Sequence, residues 1–178
     1  MIPSYDPDGF LDYQTLIENL DEFIKKHATG PRDVLVVQAS VHDIHLGTLG
    51  EYEGHMDALS AYLSSLPMRV IFRGGDALHM PPGSRSIIER GLRDPRIRSA
   101  NADARKAMVG RGVAFIDTHA STIGRPDKCI DGYHYFDRDT EDLDQEGKEI
   151  CIGNSVARTQ AQVILNFVCA EGNQTREL

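Results

Sequence analysis

The chain has 178 residues, which suits a single domain spanning residues 1–178 with a sizeable hydrophobic core. Its formal net charge of −8 at pH 7 and its isoelectric point near 5.3 argue against nucleic acid or an anionic membrane surface as the main partner. No stretch approaches about 18 consecutive apolar residues, so the composition predicts no membrane segment in this chain.

Apolar residues at helical spacing alternate along the chain with short runs rich in Val, Ile and Phe. The runs lack strict apolar–polar alternation, which is typical of strands covered on both faces. The pattern predicts strands over residues 33–39, 68–74 and 112–117, and helices before, between and after them over residues 10–28, 51–66, 84–91, 97–110 and 156–170. This order predicts an α/β fold, a three-layer α/β/α arrangement around a parallel, flavodoxin-like sheet.

Three strands are fewer than such sheets usually have, so the sheet is expected to be incomplete at the N-terminal side. The last helix is expected to be a buried one, with Cys169 in the core. Its predicted buried face consists of Val156, Val163, Ile164, Phe167 and Val168. Cys129 and Cys151 could form a disulfide bond in an oxidising compartment, and the compartment stays open.

Polar and titratable residues follow each predicted strand. The segments concerned are 40–43 (Ser-Val-His-Asp), 73–79 (Arg-Gly-Gly-Asp-Ala-Leu-His), 117–119 (Asp-Thr-His) and 131–134 (Asp-Gly-Tyr-His). In an open parallel sheet, ligands bind outside the carboxyl ends of the strands. The sequence therefore predicts a functional site at this edge of the sheet.

Asp131 and His134 lie three residues apart in a glycine-containing loop before the last helix. A carboxylate–imidazole pair of this kind serves acyl-transfer hydrolysis, because the imidazole takes the proton of a nucleophile while the carboxylate orients the ring and stabilises its charged form. We therefore predict that Asp131 contacts one ring nitrogen of His134 and that the other nitrogen faces the strand ends.

Three blocks of the chain resemble the SGNH (GDSL-like) hydrolases, and more closely their eukaryotic PC-esterase branch, which includes polysaccharide O-acetyltransferases. Residues 40–43 look like the Gly-Leu-His-Asp block of that branch, and residues 72–75 with His79 are similar to its Phe/Trp-Arg-Thr strand. Residues 131–135 resemble its Asp-Gly-x-His catalytic block. The resemblance covers roughly residues 33–169.

The resemblance implies a role for each matching residue. His134 would be the general base, Asp131 its orienting carboxylate, and His42 a neighbour of the oxyanion position. Ser40 stands where the family has Gly, and Arg73 would pair with substrate or with a loop carboxylate. The implied substrate is a carbohydrate or another acyl ester, with no cofactor and no metal. The family suggests a Golgi or secreted location, although the chain shows neither signal peptide nor transmembrane helix.

The family nucleophile belongs to a Gly-Asp-Ser block, and this sequence contains none. Gly75-Asp76-Ala77 cannot replace it because alanine has no nucleophilic group. The chain therefore looks like the C-terminal two-thirds of such a domain, and we expect the isolated chain to be close to inactive.

Two other hypotheses remain open at the level of sequence. In the first, histidines hold a divalent metal ion that activates water, as three protein ligands with an open position would do. The candidate ligands are His42, Asp43, His45, His79, His119 and His134. In the second, the chain is a non-catalytic binding module, or associates with another chain through the incomplete sheet edge.

Overall fold

The structure is a computed structural model that describes residues 13–28, 30–39, 44, 47–79, 93–129, 135 and 155–174. Helices and strands alternate through most of these residues. In chain order they are α1 (Tyr13–His27), β1 (Val34–Val37), α2 (Leu49–Ser65), β2 (Arg69–Arg73), α3 (Asp94–Gly110), β3 (Ala114–Ile116), α4 (His119–Thr122), a single 3₁₀ turn (Pro126–Lys128) and α5 (Ser155–Gln174). The predicted helix over residues 84–91 lies outside the described residues.

The three strands form one parallel sheet in the order β1-β2-β3. Val36 of β1 is paired with Ile71 of β2, which is in turn paired with Ala114 of β3. The α/β class and the three parallel strands predicted from the sequence are therefore confirmed. Consecutive right-handed crossovers between strands in this order place α2 and α3 on the same face of the sheet. Contacts between these two helices agree with that placement.

The described residues divide into two compact units. The first consists of those up to Gly75 together with residues 93–117, and the second of residues 76–79 together with those from Thr118 onward. The single domain expected over residues 1–178 stays a prediction. No helix among the described residues is both long enough and apolar enough to cross a membrane.

The first unit has its core between the sheet and the helices α2 and α3. Tyr52, Met56, Leu59 and Leu63 of α2 recur at helical spacing and are almost completely buried. The helix begins with a capping box, because the Thr48 hydroxyl accepts a hydrogen bond from the Glu51 amide at 3.2 Å and the Glu51 carboxylate accepts one from the Thr48 amide at 2.7 Å.

The sheet is covered less evenly than the sequence predicts. Phe72 and Ile71 of the central strand are fully buried, whereas Val36 of β1 is 42% exposed although it lies on the same face as its partner Ile71. Among the described strands, β1 has a neighbour on one side only. Because β1 lies at the edge of these strands, its valine side chains are less buried than its Val-rich sequence predicts.

Helix α5 of the second unit buries fewer side chains than expected. Val156 and Gln160, one turn apart, are buried, but Val163 is 43% exposed and Leu165 is 54% exposed. Ile164, Phe167 and Val168 are only half-buried, and Cys169 is exposed rather than in the core. The prediction of a continuous buried face was therefore wrong, because periodicity shows which residues share a face but not how much of that face is covered.

Candidate functional site

Of the residues predicted to form the site, the structure describes only Arg73. Ser40, His42, Asp131 and His134 lie outside the described residues. The predicted contact between Asp131 and His134, and their nearness to the segment 40–43, therefore stay predictions. The described residues that precede and follow these segments nevertheless show how the strand ends are held.

Arg73 is the last residue of β2 and lies at the carboxyl end of the sheet, where the sequence predicts a site. Its Nη1 donates a hydrogen bond of 2.8 Å to Oε1 of Gln38, which directly follows β1. Because β1 and β2 are parallel neighbours, this bond joins their carboxyl ends. The bond therefore holds the half-buried Arg73 side chain against Gln38, which lies two residues before Ser40 in the chain.

The end of β1 is held from a second side by Tyr52 of α2. The hydroxyl of this buried tyrosine donates a hydrogen bond of 3.1 Å to the carbonyl oxygen of Ala39. A tyrosine hydroxyl that is buried needs such a partner, and here the partner is the residue immediately before Ser40. The stretch 38–39 is therefore anchored by one side-chain bond to the sheet and one to a helix.

After Arg73 the chain passes a glycine pair that α3 holds in place. A Cβ atom at Gly74 would lie 3.0 Å from Cζ of Phe115 and 3.2 Å from Oδ1 of Asn101, so any larger residue would push these side chains aside. The Asn101 amide accepts a 2.7 Å hydrogen bond from the Gly75 N–H and donates a 2.9 Å bond to the Gly75 carbonyl. The sequence analysis did not single out Asn101. The one signal in the sequence is that asparagine, a poor helix former, stands in the middle of a predicted helix.

In the second unit, Thr122 organises the segment that continues from the glycine pair. Its fully buried hydroxyl accepts a hydrogen bond of 2.8 Å from the Ala77 N–H, and its carbonyl lies 2.9 Å from Nε2 of His79. A carbonyl oxygen can only accept, so His79 carries its proton on Nε2. The histidine of the second family-like block therefore has a structural bond to the backbone.

Tyr135 connects the end of the Asp-Gly-Tyr-His motif to the same segment. The tyrosine is 8% exposed, and its hydroxyl donates a hydrogen bond of 2.6 Å to the carbonyl of Ala77. Its ring meets that of His79 edge-on, with centroids 6.1 Å apart and an interplanar angle of 82°. Tyr135 also forms an isolated antiparallel bridge with Cys129, so the residues just before and just after 130–134 are paired with each other.

Asp76, at the start of the same segment, is bonded to α5. Nε2 of Gln160 donates a hydrogen bond of 2.7 Å to Oδ1 of Asp76, and both side chains are at least partly buried. The amide of Gln160 thus gives the half-buried Asp76 side chain a hydrogen-bond partner. This bond satisfies the side-chain amide of Gln160, a polar residue that is buried on α5.

The metal hypothesis finds no support in the described part of the chain, where no three His, Cys, Asp or Glu side chains are grouped closely enough to hold an ion. His42, Asp43, His45 and His134 fall outside it, so a cluster built on them is not tested. The serine in the short helix α4, Ser121, donates its hydroxyl to the carbonyl of Thr118 at 2.7 Å.

A groove of about 600 Å³ lies on the first unit, between α2 and α3. Its lining includes four small residues, Gly50, Gly54, Ala107 and Gly110. Its lining also includes two ion pairs, Lys106–Glu53 at 3.4 Å and Arg111–Asp57 at 2.9 Å, together with Asp103. Burial, and after it the charge of Glu53, raises the pKa of Asp103. Arg73, the predicted site residue that the structure describes, does not line this groove.

Comparison with known proteins does not assign the chain to a class. No protein-family model matches it, and no curated protein matches it either. The likeness to the SGNH hydrolases therefore rests on the three sequence blocks alone, whereas the α/β fold with its parallel sheet rests on the structure.

Proposed function

We propose that this chain provides the general base and the orienting carboxylate of a serine-dependent acyl-ester site of the SGNH-like class. The observation that carries the proposal is the bond between Arg73 and Gln38, which joins the carboxyl ends of two parallel strands. Functional groups of open α/β sheets gather at these ends. A charged residue held there by a side-chain bond is what such a site requires to orient a polar substrate.

In the proposed reaction, a hydroxyl nucleophile attacks the carbonyl carbon of an acetyl ester on a carbohydrate, and His134 takes the hydroxyl proton. Asp131 keeps the imidazole in the required tautomer and stabilises its charged form. Backbone or side-chain donors around Ser40 and His42 would bind the oxyanion as it develops. The proton then passes from His134 to the departing sugar oxygen, which leaves as the alcohol while the acetyl group stays on the nucleophile. Water, which gives its proton to His134, then attacks this ester and releases acetate, and the proton returns to the nucleophile's oxygen. Arg73 would bind the substrate.

The nucleophile is the part that this sequence does not provide in the family's form, since it contains no Gly-Asp-Ser. The Ser121 hydroxyl already donates to a backbone carbonyl. We therefore expect acetate release from an acetylated sugar by the purified chain to stay near background, and His134→Ala to change it little. Robust hydrolysis that His134→Ala abolishes would contradict this expectation and point to Ser40 or Ser121, which single Ala variants would distinguish.

Substrate binding tests the proposal without needing a nucleophile. We expect a peracetylated pentose to perturb the NMR signals of His134, and the same sugar without acetyl groups to leave them unchanged. Arg73→Gln should weaken binding about tenfold, because a hydrogen bond to a charged group is lost. Arg69→Gln is the matched control, since it removes an arginine from the opposite end of the same strand. Equal binding of both sugars, or equal effects of both variants, would refute the proposal.

Association through the sheet edge is a separate proposal for the same chain. It is supported by β1, which has one neighbouring strand among those described, and by Val36, which is 42% exposed there. A lysine at an edge strand opposes pairing with another strand. We expect Val36→Lys to reduce any dimer seen by light scattering after gel filtration, and Val109→Lys, at a 57% exposed position of α3, to leave it unchanged.

A further inference from the structure

The groove between α2 and α3 combines room for a ligand with an excess of negative charge. Its volume of about 600 Å³ lies within the range of sites that hold small molecules. The carboxylates in its lining are Glu53, Asp57 and Asp103, and the basic residues are Lys106 and Arg111. The lining therefore has one more carboxylate than it has cations.

Asp103 is the carboxylate in excess. Each of the two cations is already paired, Lys106 with Glu53 at 3.4 Å and Arg111 with Asp57 at 2.9 Å. Asp103 is half-buried and, in the part of the chain that the structure describes, has neither an ion-pair partner nor a hydrogen-bond partner. Its pKa is raised by burial and by the charge of Glu53, although Lys106 opposes the shift. A further cation beside Asp103 would stabilise its ionised form.

The end of α3 adds to the negative potential of the groove. Gly110 is the last residue of this helix and belongs to the lining. The last carbonyl groups of a helix carry a partial negative charge, which attracts cations. The last turn of α3 contains no basic residue, and Arg111, which follows it, is bonded to Asp57. The helix end and Asp103 thus favour the same sign of ligand charge.

The lining suits an organic cation better than a metal ion. Among the described residues, no three His, Cys, Asp or Glu side chains are close enough together to hold a metal ion. Calcium and magnesium ions require about six or more oxygen ligands, whereas an ammonium group can pair with a single carboxylate. The small residues Gly50, Gly54 and Ala107 leave space beside the carboxylates for a carbon chain.

We propose that the groove between α2 and α3 binds a small alkylammonium ligand, with its ammonium group paired to Asp103. The alkyl part lies along the glycines of α2, and Glu53 adds a second negative charge near the ammonium group. All the residues involved belong to the first compact unit. The inference does not rest on the acyl-ester function.

NMR titration of the full chain tests the proposal, with diaminobutane, a linear chain with an amine at each end, as the probe. Its amines are protonated at pH 7, as that of lysine is. We expect saturable shifts of the backbone amide signals of Gly50, Gly54 and Gly110. Butanediol has the same chain without charge and should leave these signals unchanged, and magnesium chloride should not reproduce the shifts. The absence of saturable shifts with the diamine overturns the proposal, and so do equal shifts with the diol or with magnesium.

Asp103→Asn tests the carboxylate, because it removes the charge and keeps the shape. We expect the Kd for diaminobutane to rise about fivefold, as the loss of one partly exposed ion pair predicts. Asp94→Asn is the matched control, since it removes a carboxylate from the same helix that is bonded to Arg98 at 3.4 Å and does not line the groove. An unchanged Kd in Asp103→Asn, or an equal rise in both variants, would overturn the proposal.

Gly54→Leu tests the space without changing any charge. A Cβ atom at Gly54 meets nothing within 4 Å, and leucine is a good helix former, so we expect this variant to fold. Its side chain would fill the groove, and we expect the shifts with diaminobutane to be lost. Ala61→Leu is the control, because it adds a leucine at an exposed position of the same helix outside the groove. Binding by Gly54→Leu equal to that of Ala61→Leu would show that the ligand does not occupy the groove.

Discussion

The side-chain amide of Asn101 pairs with the backbone of Gly75 as a neighbouring strand would. It accepts from the N–H at 2.7 Å and donates to the carbonyl at 2.9 Å. The hydrogen bonds between β2 and β3 end one residue earlier, where the Gly74 N–H donates to the carbonyl of Ile116 at 2.9 Å. A helix residue therefore satisfies the buried backbone at the point where the chain leaves the sheet, two residues after Arg73.

Replacing Asn101 with alanine should destabilise the protein by about 2–4 kcal/mol, because the N–H and the carbonyl of Gly75 would both be left buried without a partner. Urea unfolding monitored by circular dichroism would measure the change. Asn166→Ala is the control, since that side chain is exposed on α5 and accepts a bond from Gln162 at 2.7 Å. It should change stability by less than about 0.5 kcal/mol. Equal effects of the two variants would contradict the role given to Asn101.

Two glycines should respond to alanine in opposite directions. At Gly74 the added methyl group would lie 3.0 Å from Phe115 and 3.2 Å from Asn101, so we expect a loss of about 1–3 kcal/mol. At Gly54, in the middle of α2, the new Cβ would meet nothing within 4 Å. There alanine should add about 0.5–1 kcal/mol through its higher helix propensity. Thermal unfolding of both variants checks the prediction, which fails if Gly74→Ala is neutral.

Asp103 should make the protein slightly less stable when it is ionised. Burial, and then the charge of Glu53, raises its pKa, while Lys106 opposes the shift. A carboxyl whose pKa is higher in the folded state than in the unfolded state disfavours folding once the pH exceeds both values. Asp103→Asn should therefore raise the free energy of unfolding at pH 7, by no more than about 0.5 kcal/mol because water screens the group.

The gain from Asp103→Asn should disappear below about pH 4, where the carboxyl is protonated in the parent chain as well. Asp57→Asn in the same groove is the control, because it removes the partner of Arg111 at 2.9 Å and should give no gain. Urea titrations at pH 7 and pH 3.5 measure both variants. A gain that persists at low pH would show that the charge of Asp103 is not the cause.

His55 should make stability depend on pH between about 7 and 5. Its ring stacks on Tyr13 with centroids 4.0 Å apart, and burial lowers its pKa while Glu51 opposes the shift. The unfolded chain therefore binds the proton more readily, and the contribution of His55 to stability is lost as the pH falls below its ordinary value. His55→Phe keeps an aromatic ring against Tyr13 and removes the titration. The melting temperature of this variant should fall less between pH 7.5 and pH 5.5 than that of the parent.

The helices and strands could be predicted because their signals are local. The Val-rich run of β1 predicts a strand, and the spacing of Met56, Leu59 and Leu63 predicts the helix α2. Both predictions lie within a few residues of the observed bounds. The burial of α5 could not be predicted in the same way. Its apolar residues are spaced for one face, but whether Val163 or Leu165 is covered depends on what lies beside them, and both are exposed.

By itself, the sequence determined the α/β alternation, the three parallel strands and the presence of polar residues after each strand, because periodicity and turn residues act over a few positions. The tertiary structure alone decided which side chains hold those strand ends. Asn101 reaches Gly75 across 26 positions of the chain, and Tyr135 reaches Ala77 across 58. An asparagine or a tyrosine in the sequence does not by itself indicate such a partner. The hydrogen bond forms only after the hydrophobic core has brought the distant segments together and excluded water from them.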